Sequence, residues 1–243
     1  MTPRSCVVLG CARNGTSIST AVIAGLAGHR LGPALLPPDE WNRGGYFESE
    51  PVNAINDELL GRLPSVTPWV PAPRHRYLSA VPADRVAFGP VPEAMRGTMA
   101  ELTGQRPFCL KDPRFCYTLT AWEPYLDDAL RVCVFRDPQS AARSLVRFGS
   151  EVSAVPIDRE IALEIWRLAY ASALSQVSRG EWLFVDVDTF GSARTRKRLE
   201  AAIGAPPAWH LFDARRVGGE PGRGRDDLPA SVREVYDELL ARS

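Results

Sequence analysis

Lysine is almost missing from this chain: of its 29 lysine and arginine residues, only Lys111 and Lys197 are lysines. A lysine inside a motif is therefore more informative than usual. Net charge is missing too, since 29 acidic residues balance the 29 basic ones. Nothing in that balance argues for nucleic acid or an anionic membrane, so any anion must be bound by locally placed cations. No apolar run approaches the roughly 18 residues of a membrane span, and no hydrophobic leader precedes the first strand. The expected location is cytoplasmic. Cys6, Cys11, Cys109, Cys116 and Cys133 form no CxxC pair; odd in number, with several in or beside apolar runs, they read as reduced structural thiols, not as a disulfide framework or a zinc site.

What is present suits one large domain spanning residues 1–243, with 45% hydrophobic and 24% charged residues and enough chain to bury a core. Short apolar runs at Ser5 to Leu9, Phe108 to Leu110, Arg131 to Phe135 and Trp182 to Val187 read as strands. Helices are expected over Thr16 to Gly28, Pro51 to Leu63, Pro92 to Thr103, Pro113 to Trp122, Pro138 to Phe148, Asp158 to Ser178, Ser192 to Ile203 and Pro229 to Arg242. Strands alternating with helices predict an α/β fold: three layers, with a central parallel sheet flanked by helices. Two stretches break the pattern. Residues 64–92 carry repeated prolines around Trp69-Val70 and read as a loop or lid that lines an acceptor pocket or merely connects. Residues 215–227, rich in glycine and arginine, read as a tail or a loop closing on a phosphate.

The first strand runs into Gly10-Cys11-Ala12-Arg13-Asn14-Gly15-Thr16-Ser17, which has the length of a phosphate loop but carries Thr16 where such a loop has its lysine. The cradle survives, because glycines let backbone amides converge and the helix opening at Thr16 directs its dipole at an anion. Without the lysine, ordinary nucleoside triphosphate hydrolysis is disfavoured. Arg13 supplies a cation of a different shape, with a planar fork suited to an oxyanion.

Two further cations repeat one design. In both Phe108 to Pro113 (FCLKDP) and Cys133 to Pro138 (CVFRDP), an apolar strand is followed by a cation, an aspartate and a proline. The aspartate is a natural helix cap and the proline fits the first helical position. Lys111 and Arg136 then fall at the carboxyl ends of their strands, the edge where open α/β sheets bind ligands. Ser144 follows Arg136 by eight residues.

Together these residues resemble the sulfotransferases that use 3′-phosphoadenosine 5′-phosphosulfate (PAPS). In that family a lysine-less loop often ending R-S-G-T-[ST] holds the 5′-phosphosulfate, and Arg13 to Ser17 is similar to it with Asn14 in place of the serine. An arginine at a strand end and a serine eight residues on hold the 3′-phosphate, matching Arg136 and Ser144. The family's K-D-P element is reproduced by Lys111-Asp112-Pro113, and its N-x-x-G-[YF]-[FW]-E stretch by Asn42 to Glu48.

The resemblance implies nucleotide contacts from Ala12, Arg13, Asn14, Gly15, Thr16, Ser17, Arg136 and Ser144, with Arg13 and Lys111 acting at the sulfate. It also implies a P-loop fold, 3′,5′-ADP as the product and no metal. The acceptor is expected to be a hydroxyl on a small molecule, with no nucleic acid or membrane partner; a homodimer stays open. Candidates for the general base are Glu48, then Asp39, with Glu40 and His75 behind them, while His29 and His210 give no signal. Two other readings remain: a P-loop small-molecule kinase or NTPase using Asp186 or Asp188 for magnesium, and a nucleotide-binding protein without catalysis.

Overall fold

The structure is a computed structural model, and it describes residues 2–67, 73–149, 156–213 and 227–243. Trp69-Val70 and nearly all of the glycine- and arginine-rich stretch lie outside those residues. Four strands, β1 (Cys6–Leu9), β2 (Cys109–Lys111), β3 (Leu130–Phe135) and β4 (Glu181–Asp186), form one sheet in the order β2-β1-β3-β4. All pairings are parallel, with Val7 opposite Leu110 and Arg131, and Phe135 opposite Asp186. Each strand lies within a residue or two of the expected run. The predicted α/β class is what the chain adopts.

Period-two alternation explains the layering, because successive strand residues point to opposite faces. Val7, Leu9, Cys133, Phe135 and Phe184 face one buried cluster; Cys6, Val8, Val132, Val134, Leu183 and Val185 face the other. The second cluster is closed by α1 (Thr16–Ala24) and a later helix, Ala193–Ile203, through Val22, Ile23, Leu199 and Ile203. The first is closed by α2 (Glu50–Leu60), α3 (Glu93–Gly104), α4 (Phe115–Leu126), α5 (Pro138–Phe148) and α6 (Arg159–Leu174). In chain order Ala193–Ile203 is α7, and the last helix, α8 (Ala230–Arg242), joins the first cluster through Val232, Tyr236 and Leu239. Three- and four-residue spacing puts Ile165, Leu168 and Ala169 on one buried face of α6, and Tyr170 donates a hydrogen bond to the Val134 carbonyl at 2.7 Å. That bond ties the helix to the sheet.

Three expectations about local structure change. Helix α1 ends at Ala24, four residues short of the expected Gly28, since Gly25 and Gly28 disfavour a further turn. Helix α4 opens at Phe115, not at Pro113. Asp112 does not cap it; its carboxylate accepts the Arg114 amide at 2.8 Å and the Arg114 guanidinium at 3.0 Å, and this local turn delays the helix. Asp137, by contrast, accepts the Ser140 amide at 2.7 Å and starts α5 at Pro138, as expected. The proline-rich stretch contains short 3-10 turns at Pro73–Leu78 and Ala83–Arg85, and Leu78, Ala80 and Val81 anchor it in the core.

All five cysteines are buried free thiols, although Cys6 and Cys109 stand opposite each other on adjacent strands. Burial pushes the Cys6 thiol up to about 12, so it is inert at neutral pH. No helix among the described residues is long and apolar enough to cross a membrane.

Candidate functional site

The carboxyl edge of the sheet opens into one cleft of about 1400 Å³. Its lining includes Ala12, Arg13, Gly15, Thr16, Ser17, Asp39, Glu48, Lys111, Arg136 and Ser144, so all but one of the predicted site residues come together. The exception is Asn14. Its side chain is fully buried behind the loop, where Nδ2 donates to the Ala12 carbonyl at 3.0 Å. Its Oδ1 accepts from the Arg136 amide at 3.3 Å and from Trp166 Nε1 at 3.1 Å. Asn14 thereby ties the loop to the end of β3 and to α6.

The loop conformation depends on two glycines. Gly10 has φ 150°, and a Cβ there would lie 2.1 Å from the Val134 carbonyl oxygen. Gly15 has φ 81° and precedes α1, whose start has no side-chain cap. Uncapped first-turn amides at a helix start, facing a cleft that contains cations, form an anion site. This fits a phosphate or phosphosulfate group on chemical grounds.

Lys111, at the end of β2, is 3% exposed, and its ammonium forms an ion pair with Glu48, itself 6% exposed. Lys111 Nζ also donates to Ser17 Oγ at 3.3 Å. The other Glu48 oxygen accepts from Asn53 Nδ2 on α2 at 3.1 Å, and Asn42 Nδ2 donates to Ser17 Oγ at 3.0 Å. The phosphate loop, the strap of residues 39–48 and the end of β2 are thus bound into one polar network. Asp39 has another place. It is exposed, with Oδ1 accepting the Trp41 and Asn42 amides at 2.9 and 2.8 Å and Oδ2 accepting the Tyr46 hydroxyl at 2.7 Å. Burial, reinforced by Asp39, pushes the Tyr46 phenol up from its ordinary value.

Arg13 adopts φ 66°, lies with its guanidinium 5.2 Å from the centre of the Phe148 ring, and donates from Nε to Ser144 Oγ at 3.3 Å. Burial lowers its pKa from the ordinary arginine value, while Tyr46 and Asp39 work in the opposite direction. Ser144 therefore meets Arg13, whereas Arg136, 6% exposed, approaches Asp188 at 4.0 Å. Asp188 in turn accepts the Asp137 amide at 2.9 Å, and Asp186 accepts the Asp188 amide at 2.9 Å. The two aspartates considered for magnesium are thus engaged in fixing the β3 and β4 ends. Among the described residues no group of three or more His, Cys, Asp or Glu side chains is arranged to hold a metal.

A buried network that the sequence did not reveal supports the site from below. Arg114 pairs with Asp112 at 3.0 Å and with Asp57 at 2.7 Å, while Asn56 donates to Asp112 at 3.0 Å and accepts from Thr118 and Trp122, both at 2.8 Å. Burial works against the Arg114 charge, but Asp112, Asp57 and Glu48 outweigh it and raise its pKa. The only sequence signal was an arginine directly after the K-D-P element.

Asp186 gives a pH test of this edge. Burial raises its carboxyl pKa from 3.8 to about 6. The folded chain therefore holds a proton there that the unfolded chain has already lost, and this group's contribution to stability falls as pH rises from about 4 to about 6. Asp186→Asn keeps an oxygen for the Asp188 amide and removes the buried charge. The expected result is an unfolding free energy at pH 7.5 about 1–3 kcal/mol above wild type, with the gain vanishing near pH 4 in urea titrations. A gain that grows towards low pH would contradict the assignment.

No protein-family model matches the chain, and no curated protein matches it in sequence. Solved structures do. A sulfotransferase domain from the curacin biosynthetic pathway superposes with a TM-score of 0.53 at 14% identity, covering 98% of each chain. The fold is that of a sulfotransferase domain. A second such domain, from the Synechococcus PCC 7002 olefin synthase, gives a TM-score of 0.44 at 14% identity, over 99% of this chain and 88% of that one. At such identity the likeness concerns architecture, and function has to be argued from the site.

Proposed function

We propose that the chain is a sulfotransferase that moves a sulfuryl group from PAPS to a hydroxyl of a small-molecule acceptor, in line and without a metal. The observation that carries this reading is the Lys111–Glu48 pair joined through Ser17 to a lysine-less phosphate loop, on a sulfotransferase fold. When bound, PAPS supplies the sulfuryl group and departs as 3′,5′-ADP. The first-turn amides of α1, Arg13 and Lys111 are assigned to the phosphosulfate, where preorganised cations and dipoles stabilise developing charge. Arg136 and Ser144 are assigned to the 3′-phosphate. Glu48 is assigned to take the acceptor proton, because it is buried in the cleft against Lys111, whereas Asp39 is exposed and shapes the strap.

The test is thermal unfolding with 3′,5′-ADP compared with ATP plus magnesium. At a hundredfold excess over Kd the first ligand should stabilise by about 2.7 kcal/mol, a Tm rise of roughly 5–10 °C for a chain of this length. Arg136→Ala should remove most of that rise while leaving the response to 5′-AMP nearly unchanged. Stabilisation by ATP plus magnesium alone would support the kinase reading instead.

A further inference from the structure

Resting on the sulfotransferase reading, we propose that the acceptor is an aromatic hydroxyl compound, a phenol or naphthol, received by a wall of rings beside Glu48. The wall is built from three separate segments. Trp41 comes from the strap of residues 39–48, Phe148 from the last turn of α5, and Tyr77 with His75 from the 3-10 turn Pro73–Leu78; all four line the cleft that contains Arg13, Glu48 and Lys111. Their rings form a continuous series. Trp41 meets Phe148 at 6.0 Å and 89°, Phe148 meets Tyr77 at 6.3 Å and 58°, and Tyr77 meets His75 at 6.1 Å and 70°.

A right-angled pair of rings is selective for a third ring. Trp41 and Phe148 form a corner that can offer a face and an edge together, and aromatic rings gain from offset or edge-to-face contact beyond the area they bury. A saturated ring of similar size fills the space and loses that part. Cations hold the corner and its neighbour in place: the Arg13 guanidinium lies 5.2 Å from the Phe148 centre, and that of Arg114 lies 5.2 Å from the Tyr77 centre. One of them, Arg13, is also assigned to the sulfate, so the ring wall and the transferring group share a boundary.

The base points to the same class. Both Glu48 oxygens are already hydrogen-bonded, one to Lys111 and one to Asn53, so taking a proton weakens an existing pair. A phenol, with a pKa of about 10, releases its proton far more readily than an aliphatic alcohol and asks less of that carboxylate. In the step, the phenolic oxygen bonds to sulfur while the bond from sulfur to the bridging phosphate oxygen breaks. The proton passes to Glu48, and 3′,5′-ADP leaves with the electron pair.

Equilibrium dialysis tests the wall without any turnover. With the chain saturated by 3′,5′-ADP, 2-naphthol should be retained about tenfold more tightly than decahydro-2-naphthol, which has the same ring skeleton without aromaticity. Trp41→Ala and Phe148→Leu should each bring that preference below about threefold. Equal retention of the two alcohols, or a preference untouched by both variants, overturns the proposal. With PAPS supplied, kcat/KM for 2-naphthol should exceed that for the saturated alcohol by at least about a hundredfold. Turnover of the saturated alcohol as good or better removes the acceptor class and leaves the sulfotransferase reading standing. Failure to bind 3′,5′-ADP removes that reading, and dialysis repeated without nucleotide then decides the ring wall by the same criterion.

Discussion

Lys111→Met should lower sulfuryl-transfer kcat by about 10²–10³-fold and destabilise the fold by about 3–5 kcal/mol. The two losses have different origins. Lys111 is buried with its ammonium on Glu48, so methionine leaves a carboxylate that is 6% exposed without its counter-charge. Breaking such a pair from one side is costly because the remaining charge is desolvated and unmatched. Adding Glu48→Gln removes that charge and should restore most of the stability, since an amide of the same shape can still accept from Asn53. Activity should not return. The double variant lacks both the cation assigned to the sulfate and the proposed base, so its kcat should stay at or below that of Lys111→Met. Urea unfolding and steady-state rates separate the two. If Glu48→Gln rescued activity together with stability, Lys111 would be a structural residue, and its assignment to the sulfate would be wrong.

The difference between what the sequence disclosed and what it withheld follows from range. Strands showed themselves because the runs at Cys6–Leu9, Cys109–Lys111, Leu130–Phe135 and Glu181–Asp186 are apolar over consecutive residues, the mark of strands buried on both faces. Lys111 and Arg136 were legible because parallel strands with helical crossovers place their carboxyl ends on one edge, whatever the order of the strands. The order β2-β1-β3-β4 was not legible, since it depends on pairings more than 100 residues apart, as between Cys6 and Cys109. Nor was the fate of Asp112. Its sequence context is that of Asp137, yet one is drawn into a buried network with Asn56 and Arg114, while the other caps a helix.

The site shows the same division. Spacing named the groups that point into the cleft but not what each one touches at rest. Ser144 was grouped with Arg136 by its eight-residue separation, and its hydroxyl accepts from Arg13, a contact that spacing did not name. Glu48 was favoured and Asp39 came next, both as carboxylates near one motif, but their partners were not legible: Asp39 accepts from two amides and a phenol, and Glu48 reaches Lys111. Asn42 showed only as the first residue of the N-x-x-G stretch, without its partner Ser17, and Asn53, which holds Glu48, carried no signal of its own, because an asparagine on a helix surface is ordinarily solvated. The ring wall was invisible for a further reason: Trp41, Tyr77 and Phe148 belong to three segments that only the folded chain brings together.

Asn14 is where the sequence comparison was least informative and the structure most so. The residue stands where the resembling family often has serine, and a serine side chain is too short to do what this one does. Asn14 accepts from the Arg136 amide and from Trp166 Nε1 with one oxygen and returns a hydrogen bond to the Ala12 carbonyl, at zero exposure. Asn14→Ala should leave two buried donors unsatisfied, at about 1–3 kcal/mol each, for a total loss of about 2–6 kcal/mol in urea unfolding. It should also weaken 3′,5′-ADP in calorimetric titrations, because the loop that presents Arg13 is released from the strand end that presents Arg136. Asn14→Asp separates those effects. Aspartate keeps the accepting oxygen but turns the other atom into an acceptor facing the Ala12 carbonyl, and it buries a negative charge behind an anion site. Its loss of ligand affinity should exceed that of Asn14→Ala at matched temperature, and should shrink as pH falls and the carboxylate is protonated. A stability change below about 0.5 kcal/mol for Asn14→Ala, within the range of ordinary surface substitutions, would mean that the glycine geometry alone fixes the loop. Arg13 and Arg136 would then be positioned independently, and the phosphate loop would not need the far side of the sheet end to hold its shape.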